Sequence, residues 1–399
     1  MPARSIIASL LAWALAACAS PPAPIDGPPP GPTAGGDPSQ GVVPLSAQVG
    51  WEAFLALDNQ PTGVWTVDSF PVFPQYGCPE VVGLDDQGRC HVLVSYSGKW
   101  TPTTVAHDGK WLGGLAHGDV DPRVAGAELY VGGQKGNLYQ VVAWPSGALD
   151  CRRIAEIPGR EIHTLVAGDL DPSRAGVELL GFTSPGALYL VRPSGEHGTF
   201  ELELLQELPG RVRDAKLLPA DGGAPQQIAT VSRAGRLALL RLGPAGPEWT
   251  TVHEAAMGMG RLAVRPPGPG RELVLYTTLD DGRILRHERK PSGEWVSAAI
   301  YLGPQGPRGI AAGRFDADAE VETVAIFGYS GAVELLSRRP DGWRAETIFV
   351  DRDKGHWLAA AELDGRNATQ ELLASGYGAR IVVLARPPGY GRSELTAGQ

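Results

Sequence analysis

Two segments decide the fold: Glu128-Leu-Tyr-Val-Gly-Gly-Gln-Lys-Gly136-Asn-Leu-Tyr139, and fifty residues later Glu178-Leu-Leu-Gly-Phe-Thr-Ser-Pro-Gly186-Ala-Leu-Tyr189. Each is an apolar run, a short polar break ending in Gly, and a second apolar run. That is the pattern of a β-hairpin whose turn uses the positive φ that Gly tolerates. The same Gly recurs at Gly88, Gly136, Gly186, Gly235, Gly282, Gly331 and Gly378, at intervals of 48, 50, 49, 47, 49 and 47. A second turn follows each: Tyr96-Ser-Gly98, Pro145-Ser-Gly147, Pro193-Ser-Gly195, Pro244-Ala-Gly246, Pro291-Ser-Gly293, Pro340-Asp-Gly342 and Pro387-Pro-Gly389. An aromatic residue opens the next strand at Trp100, Phe200, Trp249, Trp295 and Trp343.

A period near 48 with four short strands per unit predicts an all-β fold, a seven-bladed β-propeller of four-stranded blades over residues 49–390. The seventh unit stops before its fourth strand. The missing piece stands at the start of the repeats: Gly50-Trp51-Glu-Ala-Phe-Leu-Ala-Leu runs to Gly63-Val-Trp65, as Gly342-Trp343-Arg-Ala-Glu-Thr-Ile-Phe runs to Gly355-His-Trp357. Residues 50–58 are therefore expected to complete blade seven and close the ring, which removes an open sheet edge. An open solenoid of the same period would give no reason for the split unit.

Composition agrees. The 399 residues include 53 Gly and 35 Pro, too many for long helices, while 43% are hydrophobic, enough for a core. The net charge of −9 argues against a nucleic-acid partner, which would require a basic face.

Ahead of the repeats, residues 1–18 read MPARSIIASLLAWALAAC. One Arg precedes a short apolar run, too short to span a bilayer but suited to a secretory signal. The ending Leu15-Ala16-Ala17-Cys18 resembles the bacterial lipobox. That resemblance implies acylation of Cys18 and a lipid anchor in the cell envelope; Ser20 rather than Asp in the second place after the Cys implies the outer membrane. The alternative is an ordinary signal cleaved after a small residue. Residues 19–48 hold nine Pro and five Gly with no Lys or Arg, the composition of a tether that reaches up to ~90 Å. Residues 391–399 read as a polar tail.

The linkers after the first strands are acidic. They read Gly118-Asp-Val-Asp-Pro-Arg in blade two and Gly168-Asp-Leu-Asp-Pro-Ser in blade three, with Gly313-Arg-Phe-Asp-Ala-Asp and Glu362-Leu-Asp-Gly-Arg-Asn in blades six and seven. These resemble the FG-GAP/VCBS repeats of integrin-α-like propellers, whose acidic loop binds Ca²⁺. The resemblance implies Ca²⁺ at Asp119, Asp121 and Glu128, and at Asp169, Asp171 and Glu178. The family's third acidic position is Arg123 in one loop and Ser173 in the other, and blade four offers only Asp221. The competing reading is that these Asp side chains bond the turn's own backbone N–H groups.

No HExxH, GxSxG, Walker-type Gly-Lys-Ser/Thr or CxxCH motif occurs. Cys78 and Cys90 fall at opposite ends of one hairpin, so no disulfide between them is expected. The sequon Asn367-Ala-Thr369 has no meaning in a bacterial lipoprotein. The remaining candidates come from the handovers between blades, where inner strands start close to the axis. They contain Trp65; Lys110 and Trp111; Arg160 and His163; Arg211 and Arg213; Arg261; Arg308; and Lys354, His356 and Trp357. The expectation is a sector of three Trp facing an arc of Arg and His. Such a mouth suits an anionic ligand on an envelope protein or an acidic glycan, since Arg clamps carboxylate or phosphate and Trp offers a flat apolar face. A non-enzymatic binding module is the first reading; a polysaccharide-acting or quinone-type enzyme with its site at the mouth is the alternative.

Overall fold

A computed structural model of the chain describes residues 45–390, apart from 46, 97–98, 172, 196–197, 221–224, 269–270, 304–305, 307, 366 and 389. Cys18, most of the tether, the tail and Asp221 lie outside the described residues. Within them the strands form seven four-stranded antiparallel sheets, with one short 3₁₀ turn at Pro74–Tyr76. The inner strands of blades one to seven are Val64–Phe70, Leu112–Gly118, Glu161–Gly168, Val212–Leu217, Met259–Arg265, Gly309–Gly313 and Gly355–Ala361.

Blade seven closes as the repeat predicts. Glu52–Asp58 pairs antiparallel with Arg380–Ala385, from Glu52 opposite Ala385 to Asp58 opposite Arg380. The folded body takes in residues slightly earlier than the composition suggests. Ala47 bridges Phe349 on the outer strand of blade six, Gln48 N donates to Ile348 O at 2.9 Å, and Leu45 and Ala47 pack on the core between blades six and seven. The last few residues of the Pro/Gly-rich segment thus belong to the folded body.

Second strands are buried along their whole length where they are sandwiched between neighbours, as in Glu80–Asp85 and Glu128–Gly133, while outer strands alternate or face water. Seven apolar clusters fill the seven blade–blade joints. The outer-strand aromatic of each repeat feeds one of them: Trp51, Trp100, Phe200, Trp249, Trp295 and Trp343, with Leu149 and Cys151 in the joint of blades one and two.

The repeated turn Gly adopts positive φ in five blades, between 74° and 96°. Blade three instead turns through a cis Ser184–Pro185 peptide, and in blade seven Ala379, at φ 55°, takes the left-handed position next to Gly378. Cys90 is a buried free thiol at the start of the third strand of blade one, and Cys78 sits beyond the far end of the second. Asn367 of the sequon is buried and donates to Arg386 O at 3.1 Å.

Candidate functional site

Strand direction puts the starts of all inner strands, the Gly turns and the links between blades on one face, here the upper face. Six of the seven inner strands carry a register shift at their upper end, which leaves Trp65, Gly113, His163, Arg213, Gly260 with Arg261, and His356 outside regular pairing. A bulge frees a side chain from the alternation of the strand and re-aims it. In blade two the bulged residue is Gly113, and the Trp111 ring covers the space its side chain would fill: a Cβ there would lie 2.9 Å from the ring. Blade six has no bulge, and Arg308 is delivered by the residue before its strand.

The mouth has two sides. Trp65 stacks on Trp111 at 6.0 Å and meets His356 edge-on at 4.4 Å; Trp111 lies 4.8 Å from His163. His356 donates from Nδ1 to Trp65 O at 2.8 Å and accepts at Nε2 from Arg261 at 3.4 Å. His163 meets Glu161 at 3.2 Å and Arg211 at 3.3 Å. Burial, then the nearby arginines, hold both imidazoles well below their ordinary pKa, His163 at about 3, so both are neutral.

Opposite them, Arg213 pairs with Asp280 at 2.7 Å and donates to Met259 O at 3.1 Å. Arg261 donates to Arg213 O at 2.6 Å and lies 4.3 Å from the Trp357 ring centre. Arg308 lies over Tyr329 at 5.2 Å. Burial lowers the pKa of Arg261 to about 10; Asp214 opposes the shift, and Arg308, Arg213 and Arg211 add to it. Arg261 still carries its charge at neutral pH. The Nε atoms of Arg211, Arg213, Arg261 and Arg308 are buried without a partner among the described residues. Buried donors in that state favour an acceptor supplied from outside.

One expected member stands elsewhere, and one is covered. Arg160 reaches over its own blade, pairs with Glu207 at 2.6 Å and donates to Pro185 O at 3.1 Å; it precedes the bulge and does not share its aim. Trp357 follows the bulged His356 and packs in the joint between blades seven and one, but its ring reaches the channel, where it is covered by Arg261 of blade five and Lys216 of blade four. The aromatic platform is therefore Trp65 and Trp111. Sequence reading missed Tyr329 and Tyr377, which rise from the turns Gly-Tyr-Ser-Gly331 and Gly-Tyr-Gly378 and stand beside Arg308 and Trp65. Their signal was a Tyr inside the repeated turn in two adjacent blades.

The acidic linkers lie on the lower face. Asp121 accepts from Arg123 N at 3.1 Å and from Arg123 Nε at 2.6 Å; Asp171 accepts from Ser173 N at 2.9 Å and from Ser173 Oγ at 2.6 Å. Glu128 accepts from Val120 N and Asp121 N, and Glu178 from Leu170 N and Asp171 N. These carboxylates are turned onto backbone N–H groups and side-chain donors, and the Arg123 guanidinium stands where a calcium loop would need oxygen. Ca²⁺ wants six to eight oxygens, and this donor set does not fit it. The turn-bonding alternative describes these contacts.

No protein-family model matches the chain, and no curated protein matches it. Solved propellers do. The WD40 propeller domain of Doa1 is 12% identical over 84% of this chain and 97% of that one, with a TM-score of 0.55. BBS1N in complex with ARL6DN is 12% identical with the same coverages and a TM-score of 0.58. YCF48 bound to D1 peptide is 14% identical over 86% and 98%, with a TM-score of 0.52. At such identities the likeness establishes the fold: the chain is a seven-bladed β-propeller.

Proposed function

We propose that this chain is a non-enzymatic binding module of the bacterial cell envelope, held to the outer membrane by a lipid on Cys18, whose upper channel mouth seats an anionic group of a protein or glycan partner. One observation carries the reading: four arginines from blades four to six converge opposite an aromatic wall, with buried Nε donors that find no partner among the described residues. Two titratable groups that could serve as acid or base, His163 and His356, are held neutral and bonded to the scaffold, which favours binding over proton transfer. Two of the similar propellers, BBS1N in complex with ARL6DN and YCF48 bound to D1 peptide, hold a protein or a peptide, which supports a protein as partner. The FG-GAP/VCBS likeness of the linkers supports an extracytoplasmic interaction module.

Trp65 and Trp111 provide the readout. Their fluorescence is expected to change on titration with poly-glutamate or oligogalacturonate, and about 0.5 M salt is expected to suppress the change. Replacing Arg213, Arg261 and Arg308 with Ala should abolish it. Because Arg213 and Arg261 also bond the scaffold, Arg308→Ala alone, with circular dichroism as folding control, is the cleaner variant. A response untouched by salt and by Arg308→Ala would refute the seat. Cys18→Ala should move the protein from the membrane pellet to the soluble fraction.

A further inference from the structure

Building on that seat, we infer that its partner is a protein segment in which Asp or Glu is flanked by aromatic or aliphatic side chains, docked across the upper face of blades four to seven. The inference needs the anionic seat to be real, and it goes beyond it by choosing peptide over glycan.

The observation is where the exposed apolar side chains lie. Ten large hydrophobic residues are exposed among the described residues, and five of them, Met257, Leu302, Tyr329, Val350 and Tyr377, stand on the upper face of these four blades. Met257 is in the link from blade four to blade five. Leu302 and Val350 end the outer strands of blades five and six, and the tyrosines rise from the turns of blades six and seven. The arginines come from the same sector. Tyr329 lies under Arg308 and 5.7 Å from Lys354. Met257 adjoins Gly258, where a Cβ would meet Arg213 at 3.1 Å.

Aliphatic side chains such as Met257, Leu302 and Val350 gain less against a sugar, whose small C–H faces stack on flat rings, than against an apolar side chain that buries their whole surface. Grouped exposed apolar residues around a polar centre mark a protein contact. Charge complementarity sets the sign of that centre. Asp280, Asp281 and Asp351 of this sector are each held by an arginine, Arg213, Arg283 and Arg380, and Asp353 and Glu254 stand exposed at its edge, so the positive centre offered to an incoming carboxylate is Arg308 with Arg211 and Arg261. Arg308 retains donors for it.

The test is selection from a displayed random-peptide library on the purified domain, followed by titration of the enriched peptides, of the same peptides with Ser replacing the apolar residues, and of oligogalacturonate. Enrichment of Asp or Glu within a few residues of Phe, Tyr, Leu or Met is expected. Affinity should fall at least tenfold with the Ser peptides and with Tyr329→Ser or Arg308→Gln, with the melting curve of each variant as its folding control. Oligogalacturonate binding as tightly as the peptides, with dependence on Arg308, would leave the anionic seat standing and overturn the peptide. Enriched peptides insensitive to Tyr329→Ser and Met257→Ser would overturn it as well. No binding by any acidic probe would overturn both readings.

Discussion

Glu322 shows how single residues are bound into this fold. Its carboxylate is buried where blades five and six meet, and it accepts from Tyr276 Oη, from Arg286 Nε at 2.7 Å and from Arg338 Nη1 at 3.2 Å, with Arg265 at 3.4 Å. Burial alone would raise its pKa; Arg286, Tyr276 and Arg265 together bring it below the ordinary range. Removing the charge leaves three guanidinium groups facing one another around a neutral amide. Glu322→Gln should therefore destabilise the domain by about 3 kcal/mol, read from a urea midpoint. A change under ~0.5 kcal/mol would mean the arginines find water instead. At the same scale lies the difference between Trp65 and Trp357. Both are Trp at inner-strand starts, but only Trp65 occupies the bulge, and the choice is made by hydrogen-bond register rather than by residue type.

The repeated elements carry their own signatures. The turn Gly136 has φ 76°, and a Cβ there would run into the carbonyls of Ile157 and Arg160, which belong to the link into blade three. Gly136→Ala should cost at least ~2 kcal/mol, since it adds a left-handed backbone penalty to a clash with backbone that cannot step aside. A melting temperature within a degree of wild type would contradict this. The Glu that opens the second strand is a second signature: Glu80, Glu128 and Glu371 each accept from backbone N–H groups of the preceding linker, and burial pushes each carboxyl up to about 7. A raised carboxyl means the folded state holds a proton that the unfolded chain releases between about pH 4.5 and 7. This contribution is complete at low pH and is lost as pH rises through that window. The buried, neutral His163 and His356 act in the opposite sense at acid pH, so the wild-type curve mixes the two. The difference between wild type and Glu128→Gln isolates the Glu. Wild type's advantage should shrink by on the order of 1–2 kcal/mol from pH 5 to pH 8; a pH-independent difference would show that Glu128 titrates normally.

Ring closure belongs to the whole molecule. Glu52–Asp58 is the outer strand of a sheet whose other strands lie more than 290 residues away, and Trp51 plugs the joint of blades six and seven, 6% exposed, beneath the Arg386 guanidinium at 4.1 Å. Trp51→Ala should cost ~3–5 kcal/mol. Deleting residues 50–58 should lower the melting temperature of the entire domain, because blade seven would lose a strand and expose an edge. A deletion variant that melts like wild type would show that three-stranded blade seven suffices.

The architecture was legible in the chain because it is periodic. Turn glycines, Pro-Ser-Gly turns and outer-strand Trp residues act locally, and their spacing alone counts the blades and shows that Trp51 completes the seventh. The candidate site was legible in outline for the same reason: residues at one position of a repeat must come together at the axis. Only the tertiary structure decided which of them face the channel. The blade-seven bulge sends His356 into the mouth and sets Trp357 beneath Arg261; Arg160, ahead of the bulge of its own blade, goes to Glu207, and Tyr329 and Tyr377 reach the rim from turns far away in sequence. The physical reason is that period-two alternation makes side-chain direction depend on register, and register depends on pairing with strands that the local sequence does not contain.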